Sequence, residues 1–205
     1  MPLQLTREDF MTPEEVRRLK EVCRRAAEEA LRRGKKGPVR DWAILHVALD
    51  AGLRVSEITA LKVGDLILDS GHSAIIVRRG KGGKKRGVEI GRPLREHLLE
   101  FLEWKKAVGE PTDPDSLLFL SPRGGALTRQ AVYHMFKRYA RQAGLPDRFT
   151  IHSCRHTYAS MLYKASRYNL RLVQKQLGHA SIRTTQVYAD VLSEDTLEAV
   201  NGLPQ

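Results

Sequence analysis

Three observations predict an α+β fold, mainly helical with one small three-stranded antiparallel sheet. Apolar residues recur at helical spacing along most of the chain. Three short runs, at 65–69, 74–79 and 87–90, are instead rich in β-branched residues and separated by glycine-containing turns. At 205 residues and 41% hydrophobic content the chain is long enough to bury a core, and it reads as one domain over 1–205.

Residues 1–11 form a lead-in. Residues 12–33 read as the first helix: Thr12 caps it, Pro13 occupies the first turn and Glu15 completes a capping box. Val16, Leu19, Val22, Cys23, Ala26, Ala27 and Ala30 share one face. The segment Gly34–Pro38 ends it as a short basic loop. A second helix, about 39–51, carries Trp42, Ile44, Leu45, Val47, Ala48 and Leu49, and Gly52 stops it. Ser56 caps a third, short helix that ends near Lys62 or Gly64. The three strands follow, with Ser70-Gly71 as the first turn and the glycine-rich 80–87 as the second. Beyond residue 92 helices are predicted at 93–106, 128–143 (capped by Thr128), 152–165, 169–177, 182–190 and 193–200.

Charge narrows the function classes. Lys and Arg number 35 against 24 Asp and Glu, for a formal charge of +11. Such a surplus points to a polyanionic partner, with a soluble enzyme of basic surface as the alternative. No apolar run approaches the roughly 20 residues of a membrane span. The opening MPLQLTREDF lacks the pattern of a signal peptide. Cys23 and Cys154 make no disulfide framework. The expectation is a cytoplasmic protein with no membrane partner.

Three segments carry residue types with chemistry. The turn 78–86, RRGKGGKKR, packs six basic residues and three glycines into nine positions. It reads as a solvated hairpin tip or as a phosphate-approaching loop; the Walker pattern is absent. In His152-Ser-Cys-Arg155-His156, His152 and Arg155 share a helical face. The His-x3-His spacing suggests zinc, but Ser153 stands where the glutamate belongs and no third ligand is well spaced, so no metal is expected. In LGHASIRTTQVYADV, Gly178 ends a helix, His179 sits at the junction and Tyr188 lies in the next helix. A tyrosine there is a packing residue, unless Arg54, Lys81, His152, Arg155 and His179 surround its hydroxyl.

The ordered set Arg54, Lys81, His152-x-x-Arg155, His179, Tyr188 resembles the tyrosine recombinase, or phage integrase, family. The matching segments are AGLRVSEITAL, GKGGKKRGVEI, IHSCRHTYASML and QKQLGHASIRTTQVYADV, and LTREDFMTPEEVRRL is similar to the family's opening to its catalytic domain. The resemblance runs from about residue 3 to about 192. Ser153-Cys154 departs from it, since a carboxylate or apolar pair is commoner there. The helical core-binding domain that usually comes first is also absent, as in a catalytic fragment or a naturally short recombinase.

The resemblance implies the family's catalytic fold and metal-independent, cofactor-free phosphoryl transfer. Tyr188 would attack a DNA phosphodiester and form a 3′-phosphotyrosyl link, which a 5′-hydroxyl then resolves. Arg54 and Arg155 would clamp the non-bridging oxygens with charges that never titrate. His152 is expected to take the tyrosine proton and His179 to support the phosphate. Lys81 would protonate the leaving 5′-oxygen. Glu57, one turn after Arg54, would hold a catalytic side chain in place, or else form a surface ion pair.

Lys62, Lys84, Lys85, Arg86, Arg123 and Arg183 are candidate contacts to the DNA backbone; singly, each reads equally as a surface residue. The expected partner is double-stranded DNA, bound as a tetramer, with the free chain monomeric or weakly associated and accessory DNA-bending proteins as further partners. The tail 191–205 would dock on its own domain or on a neighbouring protomer. The alternatives are type IB topoisomerase-like relaxation and a non-catalytic DNA-binding remnant.

Overall fold

The computed structural model describes residues 5–78, 85–179 and 181–191. Among them the order is α1 (Pro13–Arg32), α2 (Lys36–Asp50), α3 (Val55–Ile58), β1 (Leu66–Leu68), β2 (Ser73–Val77), β3 (Arg86–Glu89), α4 (Arg92–Ala107), α5 (Arg129–Gln142), α6 (Ile151–Ala165), α7 (Leu170–Leu177) and α8 (Arg183–Val191). The mainly helical α+β architecture is the predicted one.

Local chemistry sets the boundaries. Thr12 Oγ1 accepts from the Glu15 N–H at 3.2 Å, and Glu15 Oε2 accepts from the Thr12 N–H at 2.8 Å. This is the capping box read from the sequence. Thr128 likewise caps α5, accepting from the Ala131 N–H at 3.0 Å. Several boundaries differ from the reading: α3 ends at Ile58 rather than near Lys62 or Gly64, and β2 ends at Val77 rather than at 79. α2 starts at Lys36 rather than 39, taking in Gly37 and Pro38, because a proline in the first helical turn forfeits only an N–H that has no intrahelical acceptor. α3 starts at Val55, with Arg54 rather than Ser56 before it. The Glu57 carboxylate reaches back to the Arg54 N–H at 2.8 Å and fixes that start.

α2 is the central element, with Val39, Ala43, Ile44, Leu45, Val47, Ala48 and Leu49 all buried. It packs against α1, α4 and α6. Each large aliphatic side chain so buried contributes roughly 1.5–3 kcal/mol. The sheet is antiparallel in the order β1-β2-β3, with Ile75 opposite Leu66 and Val88, and Val77 opposite Arg86. Ile75, Val77 and Val88 face the core. The register places Arg86 at the base of the β2–β3 hairpin. The tip, with Lys81 and Lys84, and the predicted tail helix at 193–200 lie outside the described residues. No helix among the described residues is long and apolar enough to cross a membrane.

A second, smaller cluster joins Ala159, Val173, Leu177 and Tyr188, with Leu5, Phe10, Tyr158, Leu162 and Tyr163 against it. Residues 5–11 of the lead-in are therefore part of the fold. Met11 N–H donates to Thr157 Oγ1 at 2.9 Å, and Arg148 Nε donates to the Glu8 carbonyl at 2.9 Å.

Candidate active site

Four segments converge beside this smaller cluster: the α2–α3 turn, β3, the start of α6, and the α7–α8 turn with α8. Arg155 ties the first to the last. One terminal nitrogen donates to the Gly52 carbonyl at 2.5 Å and the other to the Leu177 carbonyl at 2.8 Å. Only glycine suits position 52. Its φ is +60°, and a Cβ there would lie 2.3 Å from Tyr158 Cδ1. Arg155 is 6% exposed. Burial and then the neighbouring Arg54 bring its pKa down to about 10, so it remains charged at neutral pH.

Glu57 is buried rather than part of a surface ion pair. Its Oε1 accepts from Arg54 Nη1 and Arg86 Nη1, both at 3.0 Å; its Oε2 accepts from the Arg54 N–H at 2.8 Å and Arg86 Nη2 at 3.0 Å. Burial pushes its pKa up, but the hydrogen bonds from Arg86 and the Arg54 backbone outweigh this and hold the carboxyl below its ordinary range. Two guanidiniums, those of Arg54 and Arg86, thus share one carboxylate, and with Arg155 nearby the site carries a surplus of fixed positive charge.

The histidines around it are neutral at physiological pH. His152 sits at the exposed start of α6, its pKa lowered by partial burial and then by Arg155 and Arg54. His179 follows Gly178, which ends α7 in the left-handed region at φ +66°. His179 Nδ1 meets Thr185 Oγ1 at 3.0 Å. Burial, followed by Arg155, Arg54 and Arg86, depresses its pKa to about 3.

Tyr188 is 2% exposed. Its hydroxyl lies 3.1 Å from His156 Nδ1. Its ring lies nearly parallel to that of His179 at 10°, and Phe10 meets it edge-on. Burial raises the phenol's pKa, while Arg155 and Arg54 pull it back. His156 is pushed down to about 4 by burial and then by His152 and Arg155, so its ring is neutral, and in the tautomer with the proton on Nε2 its Nδ1 can accept from the phenol.

The structure therefore brings together Arg54, Glu57, His152, Arg155, His179 and Tyr188. Lys81 and Lys84 fall outside the described residues, as does the Arg183 side chain. Lys85 and Arg123 are exposed. Lys62 pairs with Asp115 at 2.8 Å. Arg86 departs from its reading as a surface phosphate contact: its side chain is 13% exposed and both terminal nitrogens are engaged by Glu57.

Sequence reasoning missed His156 and Phe10 at the tyrosine. His156 follows Arg155 directly, and the helical turn aims neighbouring side chains apart. Only the docking of α8 brings its ring to Tyr188. Among the described residues no group of three or more His, Cys, Asp or Glu side chains is arranged to hold a metal ion.

The model of the phage integrase family matches residues 9–195. Tyrosine recombinase XerD of Ralstonia nicotianae is 39% identical over 158 residues, covering 76% of this chain and 50% of that protein. Tyrosine recombinase XerA of Pyrococcus furiosus is 34% identical over 193 residues, covering 93% and 60%. Among solved structures, the XerH site-specific recombinase bound to palindromic difH substrate, a post-cleavage complex, superposes with a TM-score of 0.76 at 29% identity, covering 94% of this chain and 52% of that one. The XerA recombinase crystal structure gives 0.76 at 27% identity, covering 96% and 66%. The chain spans about half to three fifths of the length of the curated relatives it matches. With that match over residues 9–195, and with Arg54, His152, Arg155 and His179 gathered around the buried Tyr188, the chain belongs to the phage integrase family.

Proposed function

We propose that this chain is the catalytic domain of a site-specific DNA recombinase, cleaving and rejoining strands through a 3′-phosphotyrosyl intermediate. The observation that carries the reading is the placement of the Tyr188 hydroxyl, buried beside Arg54 and Arg155, whose charges both lower its pKa. The Tyr188 oxygen forms a bond to phosphorus as the bond to the 5′-oxygen breaks. The phenolic proton leaves to a neutral imidazole. The sequence reading gives that proton to His152, but the hydrogen bond favours His156. Lys81 at the hairpin tip gives a proton to the leaving 5′-oxygen.

Arg54, and Arg155 through the N–H donors that its bonds to the Gly52 and Leu177 carbonyls leave over, hold the non-bridging oxygens, where negative charge builds; removal of one preorganised donor of this kind costs roughly 3–4 kcal/mol of transition-state stabilisation. His179 supports the phosphate through the ring nitrogen that Thr185 leaves free. A 5′-hydroxyl then attacks the link and restores Tyr188. The net exchange is one phosphodiester for another, which accounts for a site that needs no external energy source. The substrate is double-stranded DNA in the cytoplasm. The full reaction takes four protomers and accessory DNA-bending proteins, with the tail 191–205 docking on its own domain or on a neighbour. Similarity to proteins named recombinases favours strand exchange over relaxation of supercoils.

The test uses nicked duplexes of randomised sequence. Protein–DNA adducts that survive denaturation are collected, and their DNA is sequenced to identify a substrate. The parent chain is expected to yield an adduct and Tyr188→Phe none. A parent chain without any adduct, or an adduct that persists in Tyr188→Phe, overturns the reading.

A further inference from the structure

Arg86 comes from the basic hairpin yet turns inward. It pairs with Val77 at the hairpin base. Its fork grips both oxygens of Glu57 at 3.0 Å each. The same two oxygens take the backbone N–H and Nη1 of Arg54. A bidentate guanidinium fixes the plane of a carboxylate, and a carboxylate fixed in this way sets the direction in which the Arg54 side chain leaves the α2–α3 turn.

Two further observations show how tightly the position is set. The Arg86 Nε is buried with no hydrogen-bond partner among the described residues. Such an atom is costly, so the two bonds to Glu57 take precedence over satisfying the whole guanidinium. The aliphatic stem lies under Gly178, where an added Cβ would meet Arg86 Cδ at 2.4 Å and Nε at 2.5 Å. Gly178 presents His179. Arg86 therefore touches the supports of two candidate catalytic groups that come from opposite ends of the domain.

We infer that Arg86 is a positioning residue for the transfer reaction: through Glu57 it orients Arg54, and through its stem it sets the height of the turn that carries His179. The inference rests on the phosphoryl-transfer reading above. Reaching out to a DNA phosphate would break both bonds to Glu57, so Arg86 acts from behind the site. A lysine offers one nitrogen in place of the fork and cannot fix the carboxylate plane.

The experiment compares the parent with Arg86→Met, which keeps the stem under Gly178 and removes the donors, and with Arg86→Lys, which keeps the charge. Each is measured for thermal midpoint, duplex affinity and rate of adduct formation on the duplex selected above. The same duplex is then used with a methylphosphonate at the cleaved position, whose uncharged phosphorus asks less of Arg54. Both variants are expected to bind DNA within about twofold of the parent, as a residue without phosphate contact should. They are expected to form adduct about 10- to 100-fold more slowly on the ordinary phosphate, the scale of a misplaced catalytic group. The parent-to-variant ratio is expected to fall by about tenfold on the methylphosphonate, since less of the Arg54 donor is needed there.

Folded variants that cleave at the parental rate overturn the inference and leave the functional reading intact. So does a ratio that is equal on the two substrates, which is the mark of a purely structural role. If Arg86→Met does not fold, Arg86→Lys decides by the same ratio. A parent chain that forms no adduct overturns the functional reading and this inference with it.

Discussion

The Tyr188 hydroxyl and His156 Nδ1 lie 3.1 Å apart, joining α8 to a face of α6 that the Arg155 side chain does not occupy. In the tautomer with the proton on Nε2, the neutral imidazole accepts this bond from the phenol. His156→Ala removes the acceptor and is expected to slow adduct formation by about five- to tenfold, the worth of one ordinary hydrogen bond of about 1 kcal/mol. His156→Gln, with an amide oxygen to accept, should recover part of the loss. Single-turnover cleavage rates of both variants check this; equal rates for alanine and parent would refute it.

Acid should loosen the fold through its half-buried imidazoles. His97 is depressed to about 3 by burial and by His46, His156 to about 4, and His179 to about 3. In each case the folded chain binds the proton less readily than the unfolded one. The unfolded state therefore takes up more protons as pH drops below about 6.5, and stability is full above that value and lost progressively toward pH 4. At about 2–4 °C per kcal/mol for a chain of this size, the thermal midpoint should fall by at least about 5 °C between pH 7 and 5. His97→Asn should show a shallower decline. A midpoint independent of pH across that interval contradicts this account.

Gly178 and Gly144 separate two costs of adding a methyl group. Both adopt left-handed backbone, at φ +66° and +65°, but a Cβ at Gly144 meets nothing within 4 Å whereas one at Gly178 strikes Arg86. Gly144→Ala is expected to cost about 1 kcal/mol and Gly178→Ala about 2 kcal/mol or more, with a loss of cleavage only in the latter. Urea unfolding and the adduct assay read both quantities. Equal destabilisation by the two substitutions would contradict the contact.

Arg155 has a structural task besides its proposed catalytic one. Arg155→Lys keeps a positive charge but cannot donate to both the Gly52 and Leu177 carbonyls from a planar fork. A destabilisation of about 2–4 kcal/mol is expected, from two charge-assisted bonds, together with a fall in cleavage of at least about 100-fold. A lysine variant with parental stability would show that the two carbonyl contacts contribute little.

Much of this fold was legible in the sequence because its signals are local. The Thr12–Glu15 box, the Thr128 cap, the αL glycine at 178 and the three strand runs each depend on residues a few positions apart. The candidate site was legible through residue order: Arg54, His152, Arg155, His179 and Tyr188 stand together as their motifs implied. Partnership across the fold was not legible. Arg86 sits in a run of cations that looks like a solvated tip, and only the pairing of β3 with Val77 turns it toward Glu57. His156 shares its dipeptide with Arg155 but faces a different element. The lead-in, read as a mere approach to the first helix, sets Phe10 against the tyrosine.

The grip of Arg155 on Gly52 and Leu177 also bears on biosynthesis. The carbonyls it joins flank it from far upstream and from just ahead of the last described helix. Until the ribosome has delivered both, the pocket that seats Tyr188 is not formed. A nascent copy that stops short of α8 therefore lacks the seat of Tyr188, and under the proposed function competence to cleave DNA arrives only once that helix is made.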